Sequence, residues 1–176
     1  MIEDVHFVTP DLRAIDAAPA EVIACTAFRD ERPLRGVAGM LDWRLAGRLS
    51  ALVKSGFLVG ELGEVLLVPG RPQLPFEKVV VLGLGDRGAF DDEVVALTIA
   101  RLKATLAGLK VKRALVELPG RASGALEATH AAELLLEHAH EALEHEAWTF
   151  VDTPEAETSM TQRLLRRVDA RSRPGA

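Results

Sequence analysis

The chain has 176 residues, of which 48% are hydrophobic and 27% are charged. This length and apolar content exclude an intrinsically disordered chain and predict a single domain, residues 1–176, with a substantial core. The formal net charge of −5 argues against nucleic acid or an anionic membrane surface as a partner.

The cysteine count and the N-terminal residues indicate the cellular compartment of the protein. The single cysteine, Cys25, lies in an apolar run, which favours a buried core residue and excludes an intrachain disulfide. Residues 1–4 (MIED) are acidic where a signal peptide carries positive charge. No uninterrupted apolar run approaches the roughly 20 residues of a membrane span. The sequence therefore predicts a cytoplasmic protein without a membrane anchor.

Two strand-like runs open the chain. Residues 5–9 form a short strand candidate that Pro10 stops. Residues 11–20 contain several alanines and Pro19, so we expect a loop or a single turn there. Residues 21–28 (EVIACTAF) are continuously apolar, which is typical of a strand buried on both faces of a parallel sheet.

A helix and two further strands are predicted next. Leucines recur at helical spacing over 41–54, and Asp42 is a candidate cap for that helix. Residues 64–68 form a strand candidate closed by Pro-Gly, and 79–82 form another.

The helix predicted over 91–106 carries acidic residues at its start, and Gly108 is the candidate residue that ends it. Residues 113–118 form the next strand candidate. The rest of the chain predicts a helix over 125–143, a strand over 147–151, and a C-terminal helix with a frayed tail over 153–176. Strands that alternate with helices predict a three-layer α/β/α sandwich with a mixed, mostly parallel sheet.

Residues 83–88 (GLGDRG) follow the strand 79–82 and spell the G-x-G-x-x-G pattern of a dinucleotide-binding turn. However, acidic residues at 91–93 would repel a phosphate from the helix that follows. The ribose-binding acid expected about 20 residues further on is missing, because Gly108 is there and Glu117 falls inside the predicted strand. We interpret the glycines as a tight turn, with a bound phosphate or nucleotide as the alternative.

Crevices at the carboxyl ends of strands are the usual ligand sites of α/β sheets. The loops 83–88 and 119–124 are predicted at such ends. The candidate ligand-binding residues are Gly83, Leu84, Gly85, Asp86, Gly88, Gly120, Arg121, Ser123 and Gly124. No catalytic constellation and no cofactor motif is visible, so catalytic residues and cofactors are predicted as none.

Histidines and glutamates concentrate between His130 and His145. His138, Glu141 and His145 have the spacing i, i+3, i+7, so three side chains could converge on a metal ion. The same pattern is typical of a solvated helix face, and the helix lacks His-Glu-x-x-His. We predict no metal site, and leave open whether this helix face binds a metal.

Three segments fall in an order that resembles one known domain. They are 21–70 (from EVIACTAFRD to GELGEVLLVPG, including LDWRL), 78–93 (KVVVLGLGDRGAFDDE) and 131–152 (AAELLLEHAHEALEHEAWTFVD). Together they resemble the N-terminal domain of the leucyl aminopeptidase (cytosol aminopeptidase) family. The resemblance implies a macrodomain-like α/β/α fold.

In that family the two-metal peptidase site lies in a separate C-terminal domain, with a lysine, several aspartates and a glutamate. The residues after Asp152 match none of it, so the resemblance transfers no catalytic or metal-binding residue. We expect a free-standing, non-catalytic accessory or regulatory module that forms a homo-oligomer or binds a separate peptidase. The alternative is a macro-type domain that binds ADP-ribose or a similar nucleotide-like ligand. DNA binding, supported only by arginines in the last helix, and aminopeptidase activity are less favoured.

Overall fold

Six strands form one sheet in the order β1–β6–β5–β2–β4–β3. The structure is a computed structural model that describes residues 5–145 and 147–172, with side chains at 5–143 and 147–166. The strands are β1 (His6–Val8), β2 (Val22–Ala27), β3 (Val65–Pro69), β4 (Lys78–Gly83), β5 (Arg113–Val116) and β6 (Ala147–Val151). Neighbouring strands are parallel except β3, which runs antiparallel to β4 at one edge. The predicted mixed, mostly parallel sheet is confirmed.

Helices cover both faces of this sheet. They are α1 (Leu12–Ala17), α2 (Gly36–Arg44), α3 (Arg48–Lys54), α4 (Asp92–Gly108), α5 (Ala128–His138), α6 (His140–His145) and α7 (Pro154–Ser172). The first three pack on one face and the other four on the opposite face. This arrangement confirms the three-layer sandwich. Within the described ranges every helix is too short or too polar to cross a lipid bilayer.

The central strand β2 shows why its sequence is continuously apolar. Val22 and Ala24 enter the core under α4–α7, whereas Ile23 and Cys25 enter the core under α1–α3. Both faces exclude water, so both sets of alternating side chains must be apolar. Cys25 is fully buried with a free thiol, and burial raises its pKa, which makes it a core residue.

The stretch 11–20 is more regular than the predicted loop or single turn. It contains α1, whose first turn is capped by the Asp11 carboxylate, which accepts the Ala14 N–H at 2.9 Å. Ile15 is fully buried and anchors this short helix on the sheet.

The helix predicted over 41–54 is two helices. α2 begins at Gly36, and the chain turns at Ala46 and Gly47, which have φ of 54° and 79°, before α3 begins. Asp42 lies within α2 rather than at its start. Its carboxylate accepts the Ser50 N–H at 3.0 Å and thereby caps the first turn of α3. The helical spacing of leucines continues across the break between α2 and α3, because both helices bury their leucines in the same core.

Two boundaries in the second half also differ from the prediction. α4 continues through Gly108, and Lys110 adopts the left-handed conformation instead (φ 56°). The helix predicted over 125–143 divides at the buried Ala139 into α5 and α6. Within the predicted C-terminal segment 153–176, α7 occupies Pro154–Ser172, and residues 173–176 lie outside the described residues.

Candidate functional site

The candidate site lies where β2, β4 and β5 end at the same edge of the sheet. The loop 83–88 follows β4 and the loop 119–124 follows β5, with β2 between the two strands. The Arg87 guanidinium (Nη2) donates to the Ser123 carbonyl at 2.7 Å and joins the two loops. The structure therefore brings the two predicted ligand-binding loops together.

Three main-chain amides at the start of the first loop are already hydrogen-bonded. The Gly83 N–H donates to Glu64 O at 2.9 Å, the Leu84 N–H to Ala27 O at 3.0 Å, and the Gly85 N–H to Gly60 O at 2.8 Å. A phosphate-binding turn must offer such N–H groups to its ligand. In this conformation, these three serve the loop and its neighbours instead.

Two of the glycines have a clear steric role. A Cβ at Gly83 would come within 2.0 Å of Glu61 O, so the loop after α3 passes too close for any side chain. Gly85 has φ of 74°, a conformation that other residues rarely adopt. A Cβ at Gly88 would contact no atom within 4 Å. These contacts agree with the interpretation of Gly83 and Gly85 as turn glycines.

Ion pairs cover the outer surface of the first loop. Arg29 Nε donates to Asp86 Oδ1 at 2.7 Å, and its Nη1 donates to Glu61 at 3.2 Å. This guanidinium lowers the pKa of the Asp86 carboxyl. Arg87 pairs with Glu31 at 3.1 Å. The charged side chains of this loop thus pair with Arg29 and Glu31, which follow β2.

Beneath these ion pairs lies Glu117, which sequence analysis did not include in the site. β5 ends at Val116, so Glu117 is the first residue after the strand and not within it. Its Oε2 accepts the Val37 N–H at 2.6 Å, in the first turn of α2. Its Oε1 accepts the Thr26 N–H and Oγ1–H at 3.4 and 3.3 Å. A single carboxyl group therefore connects β5, β2 and α2.

Burial dominates the electrostatics of Glu117. The residue is 5% exposed, and loss of hydration raises the pKa of its carboxyl to about 7 against the opposing effect of its hydrogen bonds. Gly36 permits this approach, because a Cβ there would lie 2.4 Å from Glu117 Oε2 and 2.4 Å from Ala122 Cβ. The only sequence signal for Glu117 was an acidic residue after an apolar run. The predicted strand extended past Glu117, so this residue was assigned to the interior of the strand.

The second loop is held by a buried ion pair. Arg121 Nε donates to Asp152 Oδ2 at 2.7 Å and its Nη2 to Oδ1 at 3.1 Å, which is a bidentate pair. Its Nη1 donates to Leu126 O at 2.7 Å. The Ser123 hydroxyl donates to Gly120 O at 3.2 Å. Gly120 and Gly124 have positive φ angles of 75° and 70°. Arg121, predicted to contact a ligand, ties its loop to the end of β6.

The space enclosed by these groups is small. The cavity beside Glu117 has a volume of about 10 Å³, which is room for about one water molecule. Its walls include Thr26, Phe28, Glu31, Arg35 and Glu117. In this conformation the crevice cannot hold a nucleotide without movement of its side chains.

The histidine-rich segment is divided between two helices. Because the helix breaks at Ala139, His138 and Glu141 lie on different helices, and the side chain of His145 lies outside the described residues. His130 instead contacts Asp92 at 2.8 Å and Glu133 at 3.3 Å, and both carboxylates raise its pKa. Among the described residues no group of three or more potential ligands could hold a metal ion.

Solved structures define the class of fold. The Oceanobacillus iheyensis macrodomain with ADP matches 89% of this chain and 88% of its own chain, with a TM-score of 0.70 and 14% identity. The macrodomain of Mycobacterium tuberculosis DarG matches 85% of this chain and 98% of its own chain, with a TM-score of 0.66 and 14% identity. A Trypanosoma brucei macrodomain in complex with ADP matches 90% of this chain and 69% of its own chain, with a TM-score of 0.68 and 15% identity. The fold is that of a macrodomain.

The family is defined by sequence. Residues 22–147 match the model of the cytosol aminopeptidase family, N-terminal domain, and this chain belongs to that family. The probable cytosol aminopeptidase of Thermosynechococcus vestitus is 34% identical over 116 residues, which cover 66% of this chain and 22% of that protein. The cytosol aminopeptidase of Pseudomonas aeruginosa PAO1 is 31% identical over 111 residues, which cover 63% of this chain and 22% of that protein. The matches thus span about a fifth of these relatives.

Proposed function

We propose that this chain is a non-catalytic, cytoplasmic association module of the cytosol aminopeptidase family, which binds another protein instead of processing a substrate. The observation that carries this proposal is the distribution of exposed apolar side chains. Among the described residues, five of the seven large exposed hydrophobic residues lie between 43 and 67: Trp43, Phe57, Val59, Leu62 and Leu67.

Two aromatic residues are the strongest candidates for contact with a partner. Trp43 on α2 is 74% exposed and Phe57, after α3, is 67% exposed. Exposed aromatic side chains bring a large apolar area to an interface and are enriched among the residues that dominate binding energy. The closed strand-end crevice supports the same proposal, because its polar groups are engaged within the chain.

The partner proposed is a peptidase domain of the same family, since the relatives that match this chain are whole cytosol aminopeptidases. The test measures binding of this chain to a separately expressed catalytic domain from the same genome, by surface plasmon resonance. We expect Trp43→Ala or Phe57→Ala to weaken binding about tenfold. Leu165→Ala is the control, because Leu165 is exposed on α7 in the opposite helical layer.

Two outcomes would overturn this proposal. One is an absence of binding to the catalytic domain at high micromolar concentration. The other is turnover of leucine amide by this chain alone with manganese or zinc, since a non-catalytic module has no such activity.

A nucleotide-like ligand is the second candidate function. It is supported by the contact between the loops 83–88 and 119–124 at the strand ends, and by macrodomain neighbours whose structures contain ADP. Binding would require Arg87 to release Ser123 and open the crevice. Calorimetry with ADP-ribose and with NAD tests this function. A saturable heat signal that Arg87→Ala alters would support it, and no heat with either compound would refute it.

A further inference from the structure

The edge strand β3 has a free side. The Gly83 N–H donates to Glu64 O and the Gly70 N–H donates to Glu77 O. Because hydrogen-bonded positions alternate in an antiparallel pair, Leu66 and Val68 direct their N–H and C=O groups toward β4. Val65 and Leu67 direct theirs away from it, and among the described residues no strand lies beyond β3.

Apart from its short length and Pro69, this edge lacks the features that protect most edge strands. Val65–Pro69 (VLLVP) contains no charged residue, and its register with β4 is uninterrupted by a bulge. The Leu67 side chain is 43% exposed. Pro69 lacks an N–H and limits strand pairing to the positions before it. Exposed apolar edges of this kind are templates for another strand.

We propose that β3 pairs antiparallel with β3 of a second copy of this chain, which extends the two sheets into one. A twofold axis through Leu66 places Val65 of one copy opposite Leu67 of the other, and the reverse. The two outward-facing residues of each copy then form about four main-chain hydrogen bonds. Leu66 of both copies meet at the axis, where directly opposed side chains approach most closely.

Charge around the strand favours this orientation. Glu61 precedes β3 and shares Arg29 with Asp86, so two carboxylates at that end meet one guanidinium. Arg71 follows β3, and both Glu61 and Arg71 are exposed. Antiparallel pairing brings the acidic end of one copy to the basic end of the other. Parallel pairing would place like charges side by side, which costs binding energy.

The paired segment is short, so the dimer is reversible. Two five-residue strands bury less than the roughly 1,200 Å² of a stable interface. We therefore expect monomer and dimer to exchange with concentration. Leu67 belongs to the exposed apolar set of both proposals, so Trp43→Ala and Phe57→Ala test binding of the peptidase domain and Leu67→Lys tests this dimer.

Sedimentation velocity over a hundredfold concentration range tests the dimer, and hydrogen exchange locates it. We expect the Val65 and Leu67 amides to gain protection as concentration rises, while Leu66 and Val68 are protected at all concentrations. Leu67→Lys should weaken the dimer about tenfold or more, because it places a charge on the edge. Leu165→Lys is the control, and near-native melting shows that each variant is folded.

The charge arrangement has its own test. Arg71→Glu should weaken the dimer, and Arg71→Lys, which keeps the positive charge, should not. A wild-type chain that stays monomeric at every concentration would overturn the proposal. So would a dimer in which the Val65 and Leu67 amides gain no protection, or one that Trp43→Ala weakens and Leu67→Lys does not. A monomer that still binds the peptidase domain would leave the association function intact.

Discussion

Two polar clusters in this molecule use similar groups in different surroundings. In the strand-end crevice, Glu117 joins β5, β2 and α2 and is 5% exposed. In the groove between α4, α5 and α7, His130 contacts Asp92 while Glu133 pairs with Arg163, and the His130 side chain is 42% exposed.

The difference in hydration shifts the pKa values of the two glutamates, Glu117 and Glu133, in opposite directions. Burial raises the pKa of Glu117 to about 7, whereas hydrogen bonds from His130 and Arg163 lower the pKa of the half-buried Glu133. Similar carboxyl groups are therefore perturbed in opposite directions, and removal of water decides the direction. The comparison predicts large effects of substitution in the crevice and small ones in the groove.

The largest effect is expected from Arg121→Ala. This change leaves the Asp152 carboxylate buried without its bidentate partner, so the free energy of unfolding should fall by about 3 kcal/mol. Urea denaturation measures it. Arg87→Ala removes a half-exposed arginine of the neighbouring loop and should cost less than about 1 kcal/mol. Equal losses for the two variants would contradict the contrast between buried and exposed pairs.

The second prediction concerns pH. The folded-state pKa of Glu117, about 7, lies above the ordinary value of 4.5, so the folded chain binds this proton more tightly than the unfolded chain. The stability from this group is complete below pH 4.5 and is lost as pH rises through about 7. Compared with Glu117→Gln, the wild type should lose about 3 kcal/mol between about pH 4.5 and pH 8.

Denaturation at several pH values measures this difference. Glu127→Gln at the start of α5 is the control, because hydrogen bonds from Thr129 lower the pKa of Glu127, so this carboxyl group produces no loss of stability over that interval. A wild type and Glu117→Gln variant with parallel pH profiles would show that Glu117 titrates normally.

A smaller loss is expected from Gly36→Ala. The new Cβ would lie 2.4 Å from Glu117 Oε2 and from Ala122 Cβ, at a φ of 58°. The clash and the left-handed backbone together should cost about 2 kcal/mol. Gly88→Ala has open space and no positive φ, so its thermal midpoint should stay near wild type. A Gly36→Ala variant that melts with the wild type would contradict the close packing around Glu117.

The smallest effect is expected from His130→Ala in the groove. Its ion pairs are solvent-exposed and contribute about 0.5 kcal/mol. Asp92 and Glu133 raise the pKa of His130 above 6.5. The contribution is therefore present below pH 6.5 and is lost as pH rises through the raised folded-state value. His6→Ala is the control, because His6 is exposed on β1, and a loss from His130→Ala as large as that from Arg121→Ala would contradict the comparison.

Sequence patterns predicted the sheet well because a strand buried on both faces requires a continuous run of apolar residues. The apolar runs at 21–28 and 79–82 correspond to β2 and β4, whose neighbours on both faces exclude water. The two candidate loops were also predicted at the correct edge, because parallel strands end together. Helix boundaries were less predictable, since leucine spacing continues across the turn at Ala46 and Gly47.

The central residue of the crevice was not predicted. Glu117 was assigned to a strand interior, and the strand ends one residue before it. Its partners Thr26 and Val37 lie about 90 and 80 positions away in the chain, so no local pattern connects them. Arg121 was predicted as a ligand-binding residue, and its pairing with Asp152 likewise depends on the approach of two distant strand ends.

The sequence by itself determined the alternation of strands and helices, the three layers and the family. The spacing of apolar residues and the order of the motifs can both be read directly from the amino-acid sequence. The tertiary structure decided which polar groups lose water. It closed the crevice around Glu117 and Arg121 and left the apolar edge of β3 uncovered. These outcomes depend on distances between residues far apart in sequence, and such distances are set only when the layers pack.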